Sequence, residues 1–171
     1  MKNRILFLLA VICFAFVANA SAADKNKKPF VIPELREWKG STGEFQISSE
    51  TKVVYPKGNT EIAEVAKQFA NDYKKMTGVE LQVSEGKSAK GDIVFAIKKN
   101  KKLGNEGYII NIGNKVDITA TTARGAMWAT RTLLQIAEQK ANALPKGNIV
   151  DYPDYEMRSF MLDCGRKFIP I

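Results

Sequence analysis

Short strand-like runs interleaved with two amphipathic helical stretches predict an α+β fold, a mixed β-sheet with two helices packed on one face. Three observations carry this. Between residues 60 and 77, Ile62, Val65, Ala66, Phe69, Tyr73 and Met76 recur at three- and four-residue spacing, the period of a helix with one buried face. A second stretch places Ala126, Ala129, Leu133 and Ile136 on one face, extended by Met127 and Leu134. Around and between them stand runs of four to six residues rich in Val, Ile and aromatics, each bounded by Gly, Pro or Asn.

Taken in order, residues 23–43 are rich in Lys, Pro and Gly and read as a lead-in that packs loosely. Phe45 and Ile47 alternate with polar neighbours as a first strand, and Lys52 to Tyr55 forms a second, closed by the turn residues Pro56 to Asn59. Asn59 or Thr60 can cap the first helix, and Gly78 stops it. Val79, Leu81 and Val83 alternate as a strand, and Gly91 opens another at Ile93 to Ile97. Gly107 to Ile112 and Val116 to Thr121 form a hairpin around Gly113-Asn114, a pair that accepts positive φ. Thr121 or Thr122 caps the second helix, on which Trp128 reads as a core residue among apolar neighbours. Leu144 to Asn148 is turn-rich, Asp151 to Tyr155 breaks the pattern, and Met157 to Leu162 is strand-like again. A domain boundary is expected near Val150, dividing a domain at 44–150 from a segment at 151–171.

At the N-terminus, Lys2 and Arg4 precede an apolar run from Ile5 to Val17, and Ala18-Asn19-Ala20 supplies the small residues of a cleavage site. Residues 1–22 are therefore expected to be an export signal with a periplasmic or secreted destination. The run is shorter than the roughly 20 residues that span a bilayer as a helix, so no membrane span is expected. Removing Lys2 and Arg4 from 26 basic residues leaves 24 against 18 acids, a net charge of +6. The lysine clusters at 25–28 and 98–102 lack the interleaved aromatics of a single-strand platform, and export makes nucleic acid an unsuitable partner. Cleavage also leaves Cys164 as the single cysteine, so no disulfide within the chain is available.

The chain has no His, which excludes imidazole bases, Ser-His and Cys-His nucleophiles and histidine metal ligands. Neither a phosphate-binding Gly loop ending in Lys-Ser/Thr nor a dinucleotide fingerprint occurs. No metal or organic cofactor is expected.

Two segments carry more information. Gly107-Tyr108 opens a strand pair that leads into Ala123-Arg124-Gly125-Ala126-Met127-Trp128 and on to Thr132-Leu133-Leu134-Gln135. Asp151-Tyr152-Pro153 is then followed by Arg158-Ser159-Phe160-Met161-Leu162-Asp163-Cys164-Gly165-Arg166-Lys167-Phe168. Together they resemble the noncatalytic domain and the first barrel strand of the family 20 β-N-acetylhexosaminidases, across approximately residues 44–171. Ser159 stands where that family often has Gly, and Lys167 where it often has His.

The resemblance implies that Arg158 binds hydroxyls of the terminal sugar, a task suited to a guanidinium fork that can hold two vicinal oxygens. Asp163 and Arg166 are implied to be architectural residues near that site. The family removes terminal β-linked N-acetylglucosamine or N-acetylgalactosamine with retention, the substrate's own acetamido group serving as nucleophile beside an Asp-Glu pair. This chain contains no Asp-Glu dipeptide, so no catalytic residue is assigned in it. A (β/α)8 barrel takes about 250 residues, whereas the segment after Val150 ends at Ile171. The expectation is a truncated barrel start, inactive alone, whose partners are the remainder of the barrel and N-acetylhexosamine glycans. The alternative is a secreted noncatalytic module that binds glycan or docks to another subunit, for which Trp38, Tyr55 and Tyr108 are scattered aromatic candidates.

Overall fold

The computed structural model describes residues 24–159 and 161. The expected export signal, Asp163 and Arg166 lie outside them.

The helix α1, Thr60–Thr77, forms where its local signals place it. Asn59 Oδ1 accepts a hydrogen bond from the Ile62 amide at 3.0 Å, and Gly78 ends the helix in a left-handed conformation with its amide bonded to Lys74 O. Capping of this kind satisfies backbone groups that the helix itself cannot. Ile62, Ala66, Phe69 and Tyr73 are buried along one face, and each large side chain contributes about 1.5–3 kcal/mol of burial energy. The second helix, α2, runs Ala123–Gln139 and is capped by Thr122, whose Oγ1 accepts from Gly125 N at 3.3 Å.

Seven strands form one sheet: β1 Glu37–Gln46, β2 Lys52–Tyr55, β3 Gln82–Glu85, β4 Ile93–Ile97, β5 Tyr108–Ile112, β6 Val116–Ala120 and β7 Ala143–Asp151. Their spatial order is β1-β7-β5-β6-β4-β2-β3. The β2 strand pairs in parallel with β3 and β4, and β4 in parallel with β6. The β5 strand is antiparallel to β6 and β7, and β7 to β1. The sheet is mixed, as expected. Helix α1 packs over β2 and β3, α2 over β5, β6 and β7, and the helices touch each other, so both cover the same face. Tyr108, Ile110 and Ile112 of β5 alternate with half-buried or exposed Ile109 and Asn111, which identifies the helix-facing side.

Three local expectations need correction. The lead-in is not loose. Its Val31 and Leu35 are buried, Asn26 bonds to Ser41, Gly43 and Lys146 backbone oxygens, and from Glu37 it becomes the edge strand β1. Its Gly-rich sequence forms a strand because β7 supplies a partner, with an irregularity between Gly40 and Glu44. For the same reason Leu144 to Asn148 lies inside β7 instead of forming a turn. In the β5–β6 hairpin, neither Gly113 nor Asn114 has positive φ; a three-residue link is closed by Gly113 N donating to Lys115 O at 2.9 Å.

Two glycines set how closely α2 approaches the sheet. A Cβ on Gly125 would lie 2.5 Å from Gly107 O, and one on Gly107 would lie 2.4 Å from Leu103 O and 2.7 Å from Tyr152 Cβ. The helix start, the β5 start and the segment leaving β7 therefore meet at one point.

Candidate functional site

Just beyond that point a cavity of about 450 Å³ opens between the lead-in, α2 and the segment after β7. Its floor includes Tyr108 and Thr132. The Tyr108 hydroxyl lies 2.6 Å from Thr132 Oγ1 and donates to Asp151 Oδ2 at 2.8 Å, so the last residue of β7 is pinned to the buried side of the sheet. Burial drives the Tyr108 hydroxyl well above the usual tyrosine range, keeping it a neutral donor.

The segment from Tyr152 to Arg158 lines the cavity mouth and is held by charged side chains on both sides. Arg36 Nε donates to Tyr152 O at 2.5 Å, its guanidinium stands 4.3 Å from the Tyr152 ring centroid, and its Nη2 pairs with Asp154. Lys102 approaches the same ring at 5.7 Å while pairing with Glu37 at 2.7 Å. Arg158 donates through Nη1 to Tyr155 O at 2.6 Å and through Nη2 to the Glu106 carboxylate, which Arg124 also approaches at 3.4 Å. Glu106 is the more buried partner, and Arg158 above all holds its carboxyl below the usual carboxylate range.

Arg158 thus stands at the edge of the cavity, held by a carboxylate and a carbonyl. Sequence reasoning missed Arg36, Glu106 and Asp154; Arg36 and Asp154 are 118 positions apart, and only the β1–β7 pairing brings them together. Trp128, expected in the core, is 44% exposed beside the cavity. Of the scattered aromatics, Tyr108 is buried and Trp38 and Tyr55 are half-buried, so they form no exposed platform.

A larger open hollow of about 730 Å³ lies beside the N-terminus of α1 and the ends of β2 and β4, with Lys57 and Glu61 as its charged lining residues. It gathers no set of groups suited to acid–base chemistry. Among the described residues, no cluster of three or more Cys, Asp or Glu could hold a metal ion, and no helix is long and apolar enough to cross a membrane.

The fold has known counterparts. Residues 28–152 match the model of glycosyl hydrolase family 20, domain 2. The chain is similar to a lacto-N-biosidase of Bifidobacterium bifidum, 29% identical over 84% of this chain but 13% of that protein. It is also similar to a β-hexosaminidase of Porphyromonas gingivalis, 24% identical over 82% of this chain and 19% of that one. Among solved structures, the family 20 β-N-acetylhexosaminidase of Streptomyces coelicolor A3(2) matches 86% of this chain and 31% of its own, with 25% identity and a TM-score of 0.66. The exo-β-N-acetylglucosaminidase of Vibrio harveyi in complex with N-acetylglucosamine matches 87% and 23%, again with 25% identity and a TM-score of 0.66. The chain spans less than a third of each of these relatives. With the family model covering most of its length and the seven-stranded, two-helix architecture shared with solved members, the chain belongs to glycosyl hydrolase family 20.

Proposed function

We propose that this chain is the N-terminal part of an exported β-N-acetylhexosaminidase, comprising the noncatalytic domain, which takes in the lead-in and β1 and ends with β7 at Asp151, and the entry to the catalytic barrel after it. The observation that carries this reading is the match of residues 28–152 to domain 2 of the family, followed directly by the strap from Tyr152 to Arg158. The enzyme would remove terminal β-linked N-acetylglucosamine or N-acetylgalactosamine with retention, the acetamido group of the substrate attacking its own anomeric carbon. An Asp-Glu pair would position that group and protonate the leaving oxygen. Such a pair is absent from this sequence, so the 171-residue chain alone would be inactive.

Arg158 has five guanidinium N–H donors, of which only some are engaged by Tyr155 and Glu106. The remaining donors suit vicinal hydroxyls of the terminal sugar, and Asp163 and Arg166 are assigned the task of orienting neighbouring loops. Sequencing the source DNA beyond codon 171 tests the reading. A frame continuing for roughly another 250 residues and containing an Asp-Glu pair is expected; a stop directly after that codon would contradict it.

A further inference from the structure

The loop at 98–106 joins β4 to β5 by passing around the end of β6, which lies between them in the sheet. Its first residues, Lys98-Lys99-Asn100-Lys101-Lys102, place four lysines in five positions, and all four are exposed.

The backbone that carries them is held at several points. Lys98 N donates to Ala120 O at 2.9 Å, Lys102 N to Asn100 Oδ1 at 3.1 Å and Leu103 N to Asn100 O at 3.2 Å, while Thr122 Oγ1 donates to Asn105 O. Leu103 is buried and anchors the loop to the domain. The lysine stems therefore start from fixed positions, which lowers the ordering cost of meeting a ligand.

Charge around the loop is not balanced. Lys102 pairs with Glu37 at 2.7 Å, but Lys98, Lys99 and Lys101 make no ion pair among the described residues. At the start of α2, Arg124 shares the one carboxylate of Glu106 with Arg158. Ammonium groups crowded on one loop repel each other, so an anion that bridges them is attracted by each.

The side chains narrow the kind of anion. An ammonium donates three hydrogen bonds and accepts none, which suits the oxygens of sulfate and carboxylate groups. The loop exposes no aromatic ring on which a base could stack, and no aliphatic side chain that could enter a bilayer, because Leu103, its one large apolar residue, is turned inward. A hydrated polyanion, met by charge and hydrogen bonds alone, fits this surface. Lys102 also stands 5.7 Å from the ring centroid of Tyr152, where the strap begins.

We propose that this loop is a binding site for acidic glycans, chains bearing sulfate or carboxylate groups, and that it gathers them at the end of the domain from which the strap departs. The choice of a glycan as the bearer of those groups rests on the proposed function.

Fluorescence anisotropy of a labelled heparin-derived oligosaccharide, titrated with the 171-residue chain at about 0.15 M salt, tests the site. The variant Lys98→Gln/Lys99→Gln/Lys101→Gln is compared with Lys75→Gln/Lys87→Gln/Lys90→Gln, which removes the same charge from exposed lysines elsewhere. Parent and control should bind, more weakly as salt rises, and the loop variant should bind about 10-fold or more weakly than either. Neutral N-acetylglucosamine oligomers should not compete. No binding by the parent, equal weakening in both variants, or competition by the neutral oligomers overturns the proposal. So does loop-dependent binding to phosphatidylglycerol vesicles that is tighter than binding to the oligosaccharide, since it assigns the loop to a lipid surface. In the longer product, hydrolysis of neutral nitrophenyl N-acetyl-β-glucosaminide should be the same with and without the three loop lysines. Absence of that hydrolysis, with loop-dependent oligosaccharide binding intact, overturns the proposed function and leaves the site standing.

Discussion

Two tyrosines show how differently a buried hydroxyl can be treated. Tyr108 meets Thr132 and donates to Asp151, whereas Tyr73, fully buried on α1, has no hydrogen-bond partner for its hydroxyl among the described residues. Replacing Tyr108 with Phe should destabilise the chain by about 1–3 kcal/mol, because Thr132 is left buried without that partner and Asp151 loses its anchor. Replacing Tyr73 with Phe should be neutral or stabilising by about 1 kcal/mol, since it removes a desolvated group that gains nothing. Urea unfolding of both variants checks the contrast.

Burial pushes the Tyr73 hydroxyl up to about 12. Between the ordinary tyrosine value near 10 and that raised value, the unfolded chain loses the proton and the folded chain retains it. The resulting stability is complete below about pH 10 and is lost as pH rises toward about 12. Tyr73→Phe should therefore flatten the alkaline fall in stability; an identical pH profile for variant and parent would show that Tyr73 contributes nothing to it.

At the scale of elements, α1 was legible because its signals are local. Asn59, the buried face from Ile62 to Tyr73 and Gly78 all lie within one continuous stretch. The short strands β2 and β4 fall where their β-rich composition puts them. Only the end of the edge strand β1, at Phe45, was legible, since the rest of Glu37 to Gln46 has two glycines and little alternation, and β7 carries Pro145 and Gly147. Each is a strand because the other lies beside it, a long-range pairing that no local pattern records. Trp128 illustrates the same limit: its helix was recognised, but the side chain's exposure depends on what packs against that helix.

The contact between α2 and β5 offers a sharp test. Gly125→Ala would place a Cβ 2.5 Å from Gly107 O, a backbone atom with little room to move. The substitution should cost about 1–3 kcal/mol by separating helix from sheet. Gly58→Ala, at an open turn position with positive φ, should act through backbone strain alone and leave that contact intact. Thermal unfolding with near-ultraviolet circular dichroism separates the two, because only the first should disturb packing around Tyr108.

For the whole molecule, the sequence was informative where family motifs are dense within the matched region, from Gly107 to Gln135. It named Arg158 but not the residues that hold it. Glu106 and Arg36 act from elements remote in sequence, and nothing in their immediate neighbours signals the strap. In the longer enzyme, Arg158→Lys should lower kcat/KM by about 10- to 100-fold, the loss expected when hydrogen bonds to a charged fork are removed. A substrate lacking the hydroxyls that Arg158 is proposed to bind should lose activity with the parent enzyme but show little further loss with the variant.

On the proposed function, this chain supplies a noncatalytic domain and the chemistry belongs to the catalytic barrel of a longer polypeptide. Hydrolysis of nitrophenyl N-acetyl-β-glucosaminide by the purified 171-residue chain is the decisive assay. No release above the buffer blank is predicted, and turnover at ordinary enzyme rates, about 1–1,000 per second, would contradict it.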